Sequence, residues 1–220
     1  MKKIETFRAL CGVCGAILLL AVLIILFVPV GEIKGALVRG LEEKGYVLRA
    51  AEFRKSLPLG VSARNVLISD ERGTLLKLDE ASASIKVLPL CIGRVVLDFR
   101  ARIGRGEVEA RYQPRNGNLA FHGAGVRLED IPFFPTATGA NVKGGLFLDG
   151  SFKGQGVQRQ GEMKLDVKRA ELSAIKIGEI PLPDASYSTI RGMFRVTGGR
   201  GRLESLTFQG DGIYSRLSGT

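Results

Sequence analysis

The segment from Ala9 to Val28 constrains this chain most, because it holds twenty residues and no charged side chain. As a helix it reaches about 30 Å at about 1.5 Å per residue, which matches the hydrocarbon core of a bilayer. Pro29 follows it, and we predict one transmembrane helix over residues 9–29. A cleaved signal peptide is the alternative, but its apolar region is usually shorter and ends at a small-residue cleavage site.

The residues before this segment set its orientation. Lys2, Lys3 and Arg8 stand against one acid, Glu5. Positively charged flanks stay in the cytoplasm, so residues 1–8 are predicted to be a cytoplasmic tail. The sequence has no second apolar run of eighteen residues. The remainder of the chain is therefore expected on the far side of the membrane.

Small residues interrupt the apolar segment near its start, where Cys11 and Cys14 form a C-x-x-C pattern. Hydrocarbon disfavours a thiolate, so a redox role is not expected. Small residues instead let two membrane helices approach closely. The predicted helix-packing face consists of Cys11, Gly12, Gly15 and Ala16.

The net charge of +10 does not point to nucleic acid as a partner. The 32 Lys and Arg residues are spread along the sequence, and Trp is absent. No Arg- or Lys-rich helix is predicted that could lie in a groove. Attraction to anionic lipid head groups or acidic partners accounts for the same charge.

A short amphipathic helix is predicted over residues 30–45. Ile33, Leu37 and Leu41 recur every four residues, and Gly45 stands where a helix would end. The helix could lie on the membrane or cap the body that follows, and we expect the cap.

Beyond residue 45 the apolar period changes from 3.6 to 2, which predicts a β domain over residues 46–220. The alternation is clearest in Arg94–Ile103, which Gly104-Arg105-Gly106 joins to a second alternating run. Such a pattern is typical of a β-hairpin. The residues predicted to share one apolar face, and in the groove model to line the groove, are Val95, Leu97, Phe99, Ile103, Leu146, Leu148, Met163, Leu165 and Val167.

The size of this apolar face limits the possible architectures. Ten strands of about seven residues give a face on the order of 1,100 Å², whereas soluble monomers rarely expose apolar patches above about 300–600 Å². The sheet must therefore fold into a sandwich or barrel, curl into a half-closed groove, or cover its face with a ligand or partner. Periodicity alone leaves these alternatives open.

No pattern of residues points to catalysis. His122 is the only histidine, and we expect it on the surface. Cys91 is the only cysteine after the apolar segment, so no metal-ligand set is expected. Neither a P-loop nor a G-x-S-x-G motif occurs. The sequence predicts a protein that is not an enzyme and has no cofactor.

Two stretches carry a resemblance to a known family. Residues 59–112, and then 178–219, resemble the type II secretion system protein N family (GspN). The chain is more loosely similar to AsmA-like proteins, through the step Leu88-Pro89-Leu90-Cys91-Ile92-Gly93-Arg94-Val95-Val96-Leu97. The first resemblance implies a bacterial inner-membrane protein with its bulk in the periplasm. The second implies a long, curved, mostly antiparallel sheet with a hydrophobic groove.

The resemblances imply two functions. The first is a non-enzymatic accessory component of type II protein secretion, whose partners are other secretion-system proteins. The alternative is an AsmA-like groove that binds or transfers phospholipid. The family also implies closing strands that the sequence lacks before Thr220, so a shortened form or a fragment is expected. A closed β-sandwich remains the alternative to the curved sheet.

Overall fold

A computed structural model describes residues 30–56, 59–174, 176–177, 180–181, 184–210 and 213–219. The predicted tail, the transmembrane segment 9–29 and its packing face of Cys11, Gly12, Gly15 and Ala16 lie outside the described residues. Within the described ranges, no helix is both long enough and apolar enough to cross a membrane.

The first described element is helix α1, Val30–Glu42. It falls within the range predicted from the four-residue spacing of leucines. Gly45 follows with φ of 80°, a left-handed conformation that glycine adopts without steric cost. Its amide donates to the carbonyl of Glu42 over 2.9 Å, which ends the helix before the first strand. Helix α1 packs against that strand.

Within the described residues, thirteen strands and one further short α-helix follow. The strands are β1 (Val47–Ser56), β2 (Gly60–Asp70), β3 (Gly73–Ile85), β4 (Leu97–Ile103), β5 (Gly106–Gln113), β6 (Asn118–Arg127), β7 (Asn141–Lys153), β8 (Gln160–Ser173), β9 (Lys176–Ile177), β10 (Ile180–Pro181), β11 (Ala185–Thr197), β12 (Arg200–Gly210) and β13 (Ile213–Gly219). Helix α2 (Val87–Cys91) connects β3 to β4.

Eleven of these strands form one antiparallel sheet in the order β1-β2-β3-β4-β5-β6-β7-β8-β11-β12-β13, and β9 pairs with β10 in a separate ribbon. The prediction of a mainly β, antiparallel domain is confirmed. In the described part of the chain the strands form a single sheet that is not closed into a barrel. They do not form the two packed sheets of the sandwich alternative.

The strand register separates the sheet into an apolar and a charged face. Phe99 of β4 faces Ala83 of β3 on one side and Ala110 of β5 on the other. Residues paired across an antiparallel ladder point to the same face, so the three side chains share one surface. The same relation continues from β1 to β13, where Leu206 of β12 pairs with Leu217, and we call this surface the apolar face.

Ion pairs cross neighbouring strands on the opposite face. Arg100 Nε lies 3.2 Å from Glu109 Oε1, and Arg102 lies 3.2 Å from Glu80. Each exposed pair contributes roughly 0.2–1 kcal/mol. Their consistent placement keeps this face in water.

Irregular residues keep the apolar face continuous where simple alternation would break it. In β2 both Ala63 and Val66 are buried, although three positions apart they would point to opposite faces of a regular strand. Asn65, between them, has a left-handed backbone with φ of 49°, which shifts the alternation by one residue so that Val66 points to the same face as Ala63. The corresponding left-handed residues of β6, β7 and β8 are Gly125, Gly144 and Arg169.

The irregularity in β6 requires a glycine on the neighbouring strand. The register of β6 shifts between Gly123 and Val126, and the backbone there folds over Gly106 of β5. A Cβ on Gly106 would overlap the backbone of Gly125 and Val126. Only glycine permits this close approach.

The connection between β6 and β7, residues 128–140, covers part of the apolar face. It contains a 3₁₀ turn (Leu128–Asp130) and one π-helical turn (Phe134–Thr138). Leu128 packs with Val167, Ala170 and Ile190 in a buried cluster. At the end of the connection, Thr136 Oγ1 donates a hydrogen bond to the carbonyl of Thr74 in β3 over 2.8 Å.

Candidate functional site

A cavity of about 410 Å³ lies on the apolar face between α1 and strands β1–β5. Leu37 and Leu41 of α1 form one side of it. Leu48 and Phe53 of β1 line it together with larger side chains of β2 and β3. We call this cavity the apolar trough. Its position shows that α1 caps this part of the sheet.

Alanines make the floor of the trough. Ala63, Ala81 and Ala101 are paired in one row across β2, β3 and β4. A methyl group fills far less space above a sheet than the Leu, Ile and Phe side chains beside it, so the row leaves a depression. The alanines that line the trough are Ala50, Ala63, Ala81, Ala83, Ala101 and Ala110.

The trough is open to solvent. Phe99 lines it and remains 40% exposed, and Leu37 remains 45% exposed. An exposed phenyl ring that faces an apolar cavity gains by contact with another apolar group. The trough therefore has the properties of a binding surface for an apolar ligand.

Eight of the nine residues predicted to share an apolar face do so in the structure, but they have different surroundings. Among them only Phe99 lines the trough. Leu146, Leu165 and Val167 belong to the cluster around Leu128, where Val167 is 4% exposed. The other four, which lie on the same face by strand register, are Leu97, Ile103, Leu148 and Met163.

Val95 differs from its prediction. Strand β4 begins at Leu97, so Val95 precedes it and is 41% exposed. Its neighbour Val96 is 8% exposed, and the Val96 carbonyl accepts a hydrogen bond from the Lys86 amide over 2.9 Å. The chain between α2 and β4 is not yet in the sheet at that point, so strand alternation does not govern it.

Two cations change the acidity of Asp98, a carboxylate on the charged face. Lys86 Nζ lies 3.0 Å from Asp98 Oδ2, and Arg111 Nε lies 3.0 Å from Asp98 Oδ1. Burial alone would raise the pKa of Asp98, but the hydrogen bonds from Lys86 and Arg111 outweigh it and bring the pKa below its ordinary value. This cluster pins β4 to β5 and to the start of α2.

The lowered pKa predicts how Asp98→Asn should behave. Because the folded state favours the charged carboxylate, its contribution is present above the unfolded pKa of about 3.9 and is lost as the pH falls through the lower, folded pKa. Chemical unfolding followed by far-UV circular dichroism should give the variant a lower free energy of unfolding than the unchanged protein at neutral pH. The difference in free energy should disappear below about pH 4. Asp149→Asn, at an exposed carboxylate, is the control. A gap for Asp98→Asn that stays constant with pH would contradict the prediction.

Polar residues that could hold a metal or perform chemistry are not concentrated in the trough. His122 is exposed on the charged face as predicted, and its Nδ1 lies 3.2 Å from Asp149 Oδ2. Among the described residues, no group of three His, Cys, Asp or Glu side chains could hold a metal ion.

The sequence signals for this site were weaker than those for the strands. Helix α1 was expected to cap the body, and Leu37 and Leu41 do so. The alanine floor was missed because alanine contributes little to apolar periodicity. Alternation of Ala81 and Ala83 with Ser82 and Ser84 was the available signal. No protein-family model, no curated protein and no solved structure matches this chain.

Proposed function

We propose that this protein binds the hydrocarbon chains of membrane lipids in the apolar trough, as a non-enzymatic lipid-binding or lipid-transfer protein. The observation that carries the proposal is the trough itself. Its volume of about 410 Å³ lies within the usual range of ligand sites, and its walls are almost entirely apolar side chains. The partners so proposed are phospholipid and the membrane that supplies it.

The difference in polarity between the two faces of the sheet supports the presence of a bound apolar ligand. The charged face carries cross-strand ion pairs and faces water. The apolar face is covered only in part, by α1 and by the 128–140 connection. Large side chains on it remain open, including Phe99 at 40% and Leu217 at 53% exposure. Lipid chains would remove this surface from water without requiring polar contacts.

Contacts of the 128–140 connection support a curved sheet. The single turn Phe134–Thr138 contacts both β3 and β7. These strands are four places apart in the sheet order, which is about 19 Å in a flat sheet. A helical turn of five residues is only about 7 Å long. Curvature that brings the two strands together would make the apolar face concave.

The accessory role in type II secretion remains a prediction that rests on the resemblance alone. The inner-membrane location and the periplasmic position of the body also remain predictions. Contact with a secretion protein would also cover the apolar face. A cavity of about 410 Å³ favours hydrocarbon chains over a protein surface, because protein interfaces need larger areas.

Photocrosslinking from both faces of the sheet tests the proposal. A photoreactive residue at Phe99 or Ala101 lies in the trough, and one at Arg102 or Glu109 lies on the charged face. In the full chain, we expect crosslinks to phospholipid from the first pair and none from the second, detected by mass spectrometry. Equal lipid crosslinking from both pairs would indicate nonspecific contact with lipid and would contradict a site in the trough. Crosslinks from the trough to protein alone would instead favour the secretion role.

A substitution that fills the trough provides a second readout. Ala101→Phe adds a ring to the floor, whereas Ala120→Phe adds the same ring to the exposed charged face. Lipid retained through purification should fall severalfold in the first variant and stay unchanged in the second. Equal lipid retention in both variants would contradict a site in the trough.

A further inference from the structure

The hairpin connections divide between the two edges of the sheet. Because the strands run up and down in chain order, the links 86–96, 114–117, 154–159 and 198–199 all lie at one edge. We call these four links, with the strand residues beside them, the loop edge. Helix α1 and the start of β1 lie at the opposite edge, where Val47 pairs with Ser69.

The loop edge collects basic side chains that are far apart in sequence. None of the four links contains Asp or Glu. The exposed basic residues of this edge are Arg94, Arg115, Lys153, Arg159, Arg200 and Arg202. Neither an ion pair nor a side-chain hydrogen bond joins these six to a described residue, whereas the half-buried Lys86 of the same edge pairs with Asp98. By contrast, links at the opposite edge carry the acids Glu71, Glu129 and Asp130.

Aliphatic side chains project from the same edge. Leu88 of α2 is 84% exposed, Ile92 just after it 68%, and Val157 of the 154–159 link 80%. These residues gain nothing from the fold of the domain. Aliphatic side chains that stand among basic ones are typical of surfaces that enter the interface of an anionic membrane.

Hydrogen bonds between neighbouring links hold much of the loop edge together. Gln155 Nε2 donates to the carbonyl of Pro114 over 2.7 Å. The amide of Gly199 donates to the carbonyl of Arg159 over 3.2 Å. Three of the four links are thereby joined side by side, so the basic residues they carry form one surface.

We propose that the loop edge docks onto the surface of an anionic bilayer, with Leu88, Ile92 and Val157 inserted among the head groups. Strands of about ten to thirteen residues separate it from the edge where the chain enters the sheet, a distance of about 33–43 Å. Combined with the transmembrane segment predicted before α1, this separation makes the docked bilayer a second membrane. Nucleic acid is disfavoured because the four links contain no aromatic residue on which a base could stack. This proposal does not depend on lipid in the apolar trough.

Capture of vesicles by the full chain tests this docking. The protein is held in phosphatidylcholine nanodiscs, and fluorescent vesicles of phosphatidylcholine alone or with phosphatidylglycerol are added. We expect co-flotation only with vesicles that contain phosphatidylglycerol, weakened at high salt. Arg94→Glu with Arg159→Glu should weaken capture at least about 25-fold, since each basic residue near an anionic surface accounts for about fivefold.

Matched variants separate docking from general electrostatics. Arg72→Glu with Arg105→Glu makes the same change of net charge at exposed positions of the opposite edge and should leave capture unchanged. Replacing Leu88, Ile92 and Val157 by Ser keeps every charge and should still weaken capture about tenfold or more. Circular dichroism verifies that each variant is folded.

Three results would overturn the proposal. The first is equal capture of neutral and anionic vesicles. The second is equal loss of capture in the two charge-reversed variants. The third is binding of a single-stranded oligonucleotide at the loop edge without capture of anionic vesicles. Loss of lipid from the trough in Ala101→Phe, with vesicle capture intact, would leave the docking proposal standing.

Discussion

Val167→Asp is expected to destabilise the domain by about 4–5 kcal/mol, enough to unfold much of it. Val167 is 4% exposed in the cluster with Leu128, Ala170 and Ile190. A carboxylate there would lose its water and, among these apolar neighbours, find no partner. Because burial favours the protonated acid, the deficit should shrink as the pH falls. Chemical unfolding of the full chain, followed by far-UV circular dichroism, measures it.

Phe147→Asp is the matched control for this prediction. This substitution also replaces a large apolar side chain with aspartate, but Phe147 lies on the charged face and is 38% exposed. Lys168 Nζ lies 5.0 Å from the centre of its ring, so the new carboxylate would gain a cation nearby, whereas Asp166, which pairs with this position across β8, would repel it. We expect a loss of about 1–2 kcal/mol, well below that of Val167→Asp. Similar losses in the two variants would show that the faces are wrongly assigned.

Gly106→Val should be nearly as damaging, at about 3 kcal/mol or more. The overlap it creates is with the backbone of Gly125 and Val126, which cannot rotate away as a side chain can. Relief would require the irregular turn of β6 to move away from β5, and the pairing of Val108 with Gly123 would then be lost. The same unfolding measurement tests it.

Gly145→Val provides the comparison for Gly106→Val. Gly145 also lies within a strand, yet its added Cβ would meet only Phe147, at 4.0 Å. Valine there should cost little, because it gains strand propensity without a clash. An equal loss of unfolding free energy in both variants would mean that the loss of glycine itself, rather than the close approach of β6 to Gly106, destabilises the domain.

Strict alternation made one part of the fold predictable. The hairpin of β4 and β5 was predicted around Gly104-Arg105-Gly106, and the strands end at Ile103 and begin at Gly106. The apolar face of β7 and β8 was also predicted in its central parts. Alternation predicted β8 only as far as Lys168, and the strand continues to Ser173 because the left-handed Arg169 changes the alternation without ending the pairing.

Other features depended on which residues the topology brings together. Helix α2 was not predicted, because its sequence around Pro89 has neither the length nor the period of a helix. The basic residues appeared scattered in sequence, yet Arg94, Arg159 and Arg200 share one edge of the sheet. Only the up-and-down order of the strands places them together, and no local pattern reports it.

That order has a consequence for how the protein folds and how its length could change in evolution. Each strand of the main sheet pairs with the next main-sheet strand in the chain, so its contacts join neighbouring hairpins rather than distant parts of the sequence. Low contact order favours fast folding, hairpin by hairpin, without long loops to close. A duplicated or deleted hairpin would leave the remaining pairings intact. Each such event would lengthen or shorten the apolar face by about 10 Å, which allows its reach to be adjusted without a new fold.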